Sequence, residues 1–166
     1  MKSRDDFSQK TIDNYLEKLT PEEEPRWGVM TSQHMVEHLE DVVNFSSNKG
    51  QIRIVTPEDK IARYKEKALM PTDNWPVNTR APEVLIPEGK LRPLRHNNLD
   101  EARAALSEAI KDYDTYFAEN KGVQTNNAVF GALGRDEWQQ FHFKHFRHHF
   151  QQFGLIDRPY EEGMRK

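Results

Sequence analysis

Apolar residues recur at helical spacing through most of this chain. After Ser8, the positions Ile12, Tyr15, Leu16 and Leu19 share one face of a first helix that stops before the segment from Pro21 to Pro25. Beyond Arg26, Trp27 and Gly28, the run from Ser32 carries Met35, Val36, Leu39, Val42 and Val43 on one stripe, with Thr31 or Ser32 placed to cap the first turn. Thr56, Pro57 and Asp59 read as the start of a third, shorter helix, with Ile61, Tyr64, Ala68 and Leu69 as its face and Pro71 as its end. Asn98 followed by Glu101 is a capping-box pattern extended to asparagine. Leu99, Ala102, Leu106, Ala109, Ile110, Tyr113 and Phe117 follow it at the helical period.

The remaining segments are punctuated by turn formers. Five of the nine prolines lie from Pro71 to Pro93, with Trp75, Arg80 and Arg95 in or just beyond the stretch, which reads as an irregular crossing connection. Long structured loops often cover sites. Gly122, Asn126, Asn127 and Gly131 mark a loop that leads through Gly134 and Arg135 into a last helix, and no strand pattern is stronger than Gln51 to Val55. The chain reads as an all-α bundle, a single domain over residues 1–156 followed by a polar tail over 157–166, without an internal repeat.

A length of 166 residues suits one core, and 36% hydrophobic with 31% charged residues suits narrow apolar stripes under charged faces. A net charge of −3 gives no general attraction to phosphate or anionic lipid, so nucleic acid is not an expected partner. Without cysteine there are no disulfides, no thiolate ligands and no cysteine nucleophile, and any metal must use nitrogen and oxygen. The charged N-terminus MKSRDDFSQK lacks the apolar core of a signal peptide, and no stretch approaches the roughly 20 apolar residues of a membrane span. The cytoplasm is the expected address.

The densest chemical signal is FHFKHFRHHFQQF, Phe141 to Phe153, which holds four of the seven histidines. On a helix His145 and His149 lie about 40° apart and one turn apart, so both rings leave one face. His142 and Trp138 fall close to them, and Phe153, Phe146, Phe150 and Phe143 continue the same arc. Lys144, Arg147, Gln140 and Gln151 are expected on the opposite, solvent side, with His148 at the margin. Burying imidazoles without partners costs roughly 1 to 3 kcal/mol each, and a metal ion is one such partner. The blander alternative is a pair of buried histidines bonded to backbone or water. His142 and His149 are two turns, roughly 10 Å, apart along the axis, so a further ligand should come from another helix. The second helix offers His34 and His38, and His38 lies nearer its apolar stripe; His96 in a loop carries no signal.

A Trp and Gly (Trp27, Gly28), then MVEHL, a long helical middle, and finally a Gly-rich turn, a Trp and HFRHHFQQFG resemble the DinB/YfiT-like superfamily of metal-dependent helical bundles over nearly the whole chain. Within it the chain is most similar to a branch whose last helix reads H-x-x-H-H followed by Gln, here His145, His148, His149 and Gln152. The resemblance implies a four-helix bundle with an additional short helix and a Pro-rich crossing loop. It also implies one divalent metal, zinc or nickel, on His38, His145 and His149. Many relatives have Arg next to or shortly after the H-H pair; here Phe150 and Gln151 stand there, which removes any anion-binding role of that arginine.

Three neutral imidazoles would leave an open coordination position, as in catalytic zinc sites. A water there would have its pKa lowered toward about 7, or a thiolate would replace it. Characterised relatives include transferases and isomerases that use low-molecular-weight thiols. The resemblance therefore implies a thiol-dependent S-transferase or related detoxifying enzyme acting on a small molecule, and a homodimer. A metal-containing bundle that binds or senses a small ligand is the non-enzymatic alternative. General-base candidates are Glu37, Asp41 and His142, by proximity alone. His34 to His38 also spells HMVEH, a literal match to the H-x-x-E-H of inverted zinc peptidases, but that reading leaves His145 and His149 unexplained.

Overall fold

This computed structural model describes residues 1, 4–50, 52–70, 74–77, 79, 82, 85 and 91–157, and the described residues form five α-helices and one short hairpin. A 3-10 turn, Arg4–Asp6, precedes α1, Gln9–Leu16, where the Ser8 hydroxyl accepts from Thr11 N–H as its cap. Leu19, expected inside this helix, lies one turn beyond its end and is still buried. Helix α2, Ser32–Ser46, is capped by Thr31, whose hydroxyl accepts from His34 N–H. Ser32 instead donates to the carbonyls of Thr20 and Glu23, tying the proline segment to the start of α2. Helix α4, Leu99–Glu119, opens on Asn98, whose side-chain Oδ1 accepts from Glu101 N–H at 2.9 Å. The Glu101 carboxylate reaches back to Asn97 N–H, one residue before the usual partner. Helix α2 packs most extensively on α4, which also receives α1, and α5, Arg135–Gln152, lies against α2 and α3.

Three expectations are corrected. Helix α3, Glu58–Leu69, buries none of its residues fully: Ile61, Ala68 and Leu69 are half-buried, Leu69 against the core, and Tyr64 is exposed. Lys65 adds a polar attachment, 2.7 Å from Glu137 and donating to Ala132 O.

The chain also contains β structure. Strands β1, Thr125–Asn127, and β2, Gly131–Leu133, form an antiparallel pair in which Asn126 faces Ala132. The Asn127 side chain accepts from the N–H groups of Val129 and Phe130 and so folds the turn. Gly131 adopts φ +69°, and a side chain there would press on Ile61. The hairpin matters to the core because Thr125 donates to Ser46 O and accepts from Trp138 Nε1, each at 2.8 Å. Residues 52–55 form no strand; Val55 N–H donates to Ala128 O, and Gln51 lies outside the described residues.

Helix α5 is buried nearly all round. Gln140, Lys144 and Gln151, expected in solvent, are at most 9% exposed. The cover comes from the crossing connection, since Lys144 donates to Met70 O and Gln151 to Asn74 Oδ1. His148, expected at the margin, is buried against Trp27 and Trp75 for the same reason. Pro71, Arg80 and Pro87 of that connection and residues 158–166 of the tail lie outside the described residues. Among the described residues no helix is long and apolar enough to cross a membrane.

Candidate metal centre

The turn before α5 sets the register of its histidines. Glu137 accepts from Gly134 N–H at 2.9 Å and fixes the first turn, and Trp138 anchors the next through Thr125. Two turns on, His145 and His149 project together toward α2, where His38 meets them. The Nε2 atoms of His38 and His145 are 3.0 Å apart and those of His145 and His149 are 3.1 Å apart. One ring nitrogen from each of the three lies within 4.8 Å of both others. The two histidines of α5 are buried and His38 is half-buried. The Trp75 ring, 5.7 Å from that of His145, brings the crossing connection over the pair.

Burial keeps these rings neutral. It pushes the pKa of His38 down to about 3, helped by the charges of His149, Arg92 and His148. His149 is pushed down to about 4, again by burial, with the Gln152 hydrogen bond opposing the shift. His145 is held well below its ordinary value by burial and then by the neighbouring histidines. Neutral imidazole is the ligating form.

The donor set fits a divalent ion. Nitrogen ligands at about 2.0 to 2.1 Å stand about 3.3 Å apart at a tetrahedral centre and about 3.0 Å apart at right angles, so separations of 3.0 and 3.1 Å suit either. Without a cation the cluster is poorly satisfied. A single Nε2 proton on His145 serves one neighbour at a time, and its buried Nδ1 has no hydrogen-bond partner among the described residues. A positive charge at the centre satisfies all three lone pairs at once.

The other candidates are placed differently. His142 is fully buried, stacked between Phe7 and Trp138, with Nε2 2.9 Å from Ser46 Oγ and its pKa pushed down to about 3 by burial. It belongs to the aromatic core and is outside the three-histidine group. Glu37 accepts from Arg95 N–H at 2.8 Å, Gln33 Nε2 at 3.0 Å and His96 N–H at 3.2 Å. Burial alone would raise its pKa, but these bonds and the Arg95 charge hold it below the usual carboxylate value. Asp41 pairs with Arg92 at 3.2 Å and with Arg95. Arg95 also pairs with Glu40, which lies 2.9 Å from His96 Nε2. His34 is half-buried with Nδ1 2.6 Å from the Thr31 hydroxyl, so HMVEH contributes His38 but not His34 to the group.

A cleft of about 40 Å³ reaches His38 between α2 and the residues near Arg92, with His34, Glu37, Asp41 and Arg95 in its walls. That volume holds a few water molecules. Sequence reasoning gave no role to Gln152, which lies 2.7 Å from His149 Nδ1, although its position three residues after His149, within one helical turn, was a usable signal. It also gave Arg95 no role in anchoring residues 95–96 to α2.

Residues 89–154 match a family described as a protein of unknown function, DUF1569. The matched stretch takes in α4, the hairpin and α5 with His145 and His149, but not α2 with His38. No curated protein matches the chain. No solved structure matches it either.

Proposed function

We propose that this chain is a metal-dependent enzyme with a bundle of the DinB/YfiT-like kind, in which His38, His145 and His149 hold one divalent ion, zinc or nickel. On this reading it joins a low-molecular-weight thiol to an electrophilic small molecule in the cytoplasm. The observation that carries the proposal is the convergence of three neutral imidazole nitrogens from two helices beside a cleft. When bound, the ion supplies a Lewis-acidic positive charge that favours the anionic form of a thiol at neutral pH. The protein's own part is positional. Two buried rings one helical turn apart set two donors, His38 adds the third from the cleft side, and Trp75 and Phe141 keep water from the far side of His145.

Glu37 is a structural carboxylate on this reading, since its oxygens are occupied by three N–H donors. Glu37→Ala is expected to cost about 1 to 2 kcal/mol of stability in urea denaturation, because the partly buried main-chain N–H groups of Arg95 and His96 lose their acceptor, while metal content stays unchanged. Loss of metal in His34→Ala would instead favour the peptidase pattern, in which His34 and His38 hold the ion and Glu37 activates water.

The test of activity is formation of a thioether conjugate from glutathione or cysteine with a chromogenic aryl halide. The expected result is a metal-dependent rate that falls to background in His38→Ala, His145→Ala and His149→Ala and persists in His34→Ala. One observation favours the non-enzymatic alternative: among the candidate bases, Glu37 and Asp41 are paired and His142 lies in the core. A metal-loaded protein without conjugating activity would select that small-ligand binding bundle.

A further inference from the structure

Gln152, the last residue of α5, is 4% exposed and serves two polar groups. Its Oε1 lies 2.7 Å from His149 Nδ1, and its Nε2 donates to Trp27 O at 2.7 Å. The second bond determines the first. A main-chain carbonyl only accepts, so the amide nitrogen faces Trp27 and the amide oxygen faces His149. That oxygen also only accepts, so the ring proton of neutral His149 sits on Nδ1. Its lone pair is then on Nε2, the atom that meets His145.

The loop before α2 is shaped around this amide. Arg26 N–H donates to Gln152 O at 2.7 Å, closing the strap on the end of α5. Gly28 adopts φ +84°, and a Cβ there would stand 2.8 Å from Gln152 Nε2. Only a residue without a side chain lets the strap approach so closely. By contrast, the second ring nitrogen of His145 is buried with no partner among the described residues.

We propose that Gln152, clamped by the Arg26 to Gly28 strap, is a positioning residue that presets His149 in its ligating tautomer and orientation. The proposal rests on the reading that the three histidines hold a metal. A ligand ring whose other nitrogen is already bonded gives up less freedom on binding, and such partners affect metal affinity about 10- to 100-fold.

The test reads the tautomer and the affinity separately. Long-range ¹H–¹⁵N correlation spectra of the metal-free protein near pH 7.5 assign the ring proton of His149, and competition with a chelating dye gives zinc affinity. Wild type is expected to show the Nδ1–H form. Gln152→Leu should shift His149 toward Nε2–H and weaken zinc about 10- to 100-fold. Gln151→Leu removes a buried glutamine bonded to Asn74 from the same turn and should change neither. Gly28→Ala, which alters no residue of α5, should move the tautomer in the same direction, and it serves where Gln152→Leu does not fold. An Nε2–H form in wild type, an unchanged tautomer in both Gln152→Leu and Gly28→Ala, or an equal loss of zinc in Gln151→Leu would overturn the proposal. A tautomer shift in a protein that binds no zinc would uphold the clamp and overturn the metal reading.

Discussion

Metal-free protein is expected to lose about 6 kcal/mol of folding stability between pH 7 and pH 5. Burial pushes the folded-state pKa of His38 and His142 down to about 3 and that of His149 to about 4, whereas an unfolded histidine titrates near 6.5. Below about pH 6.5 the unfolded chain therefore binds protons that the folded chain refuses, and stability falls as pH falls. Each histidine contributes about 1.4 kcal/mol per pH unit, or about 2 kcal/mol at pH 5, and His38, His142 and His149 together account for that loss. The loss stops growing only near pH 3 to 4, where the folded state takes up the same protons. With domain stabilities of about 5 to 15 kcal/mol, the chain should unfold in mild acid. Urea denaturation at pH 7, 6 and 5 with a chelator present measures this directly. His142→Phe, which leaves Ser46 bonded to Val43 O, should remove about 2 kcal/mol of the acid loss. A stability that is flat from pH 7 to pH 5 would mean that these rings are wetter or better paired than the packing indicates.

Saturating zinc is expected to reverse much of that fragility. A ligand present at 1,000 times its Kd and binding only the folded state stabilises by about 4 kcal/mol. For a chain of this size that corresponds to a rise of about 8 to 16 °C in Tm. The shift should vanish in His149→Ala and be retained in His34→Ala. Burial also changes the pH behaviour expected for exposed histidine ligands, which would release metal below about pH 6.5. In the folded protein the rings stay neutral well below that value, so metal should be held until the fold itself gives way. Scanning calorimetry with and without zinc at several pH values separates the two, because release and unfolding then coincide.

What could be read from the chain followed from local rules. Ser8, Thr31 and Asn98 cap helices whose apolar residues repeat every three to four positions, and those helices stand where that repeat puts them. The pairing of His145 with His149 on α5 was equally local, because a spacing of four residues places both rings on one face. His38 required a partner helix, and its position at the edge of the α2 stripe was enough to bring it inward.

The misses were all tertiary. Thr125–Asn127 and Gly131–Leu133 are three-residue strands too short to show a period of two, and their order comes from Asn127 and from Trp138 bonding to Thr125. Lys144 and Gln151 read as solvent-facing because the helical wheel cannot show that Met70 and Asn74 of a distant connection would cap them. Tyr64 read as core because its spacing was right, but that face is only half covered, at Ile61, Ala68 and Leu69, and Tyr64 itself is exposed. Gln152 acquires its role from Trp27, 125 residues earlier.

The most direct measurement is the metal content of untagged protein by elemental mass spectrometry, wild type beside His149→Ala. About one zinc or nickel per chain in wild type, lost in the variant and retained in His34→Ala, is the expected result. No metal in wild type after reconstitution, or equal metal in His149→Ala, would contradict the site and leave a helical protein with three clustered histidines bonded in a row.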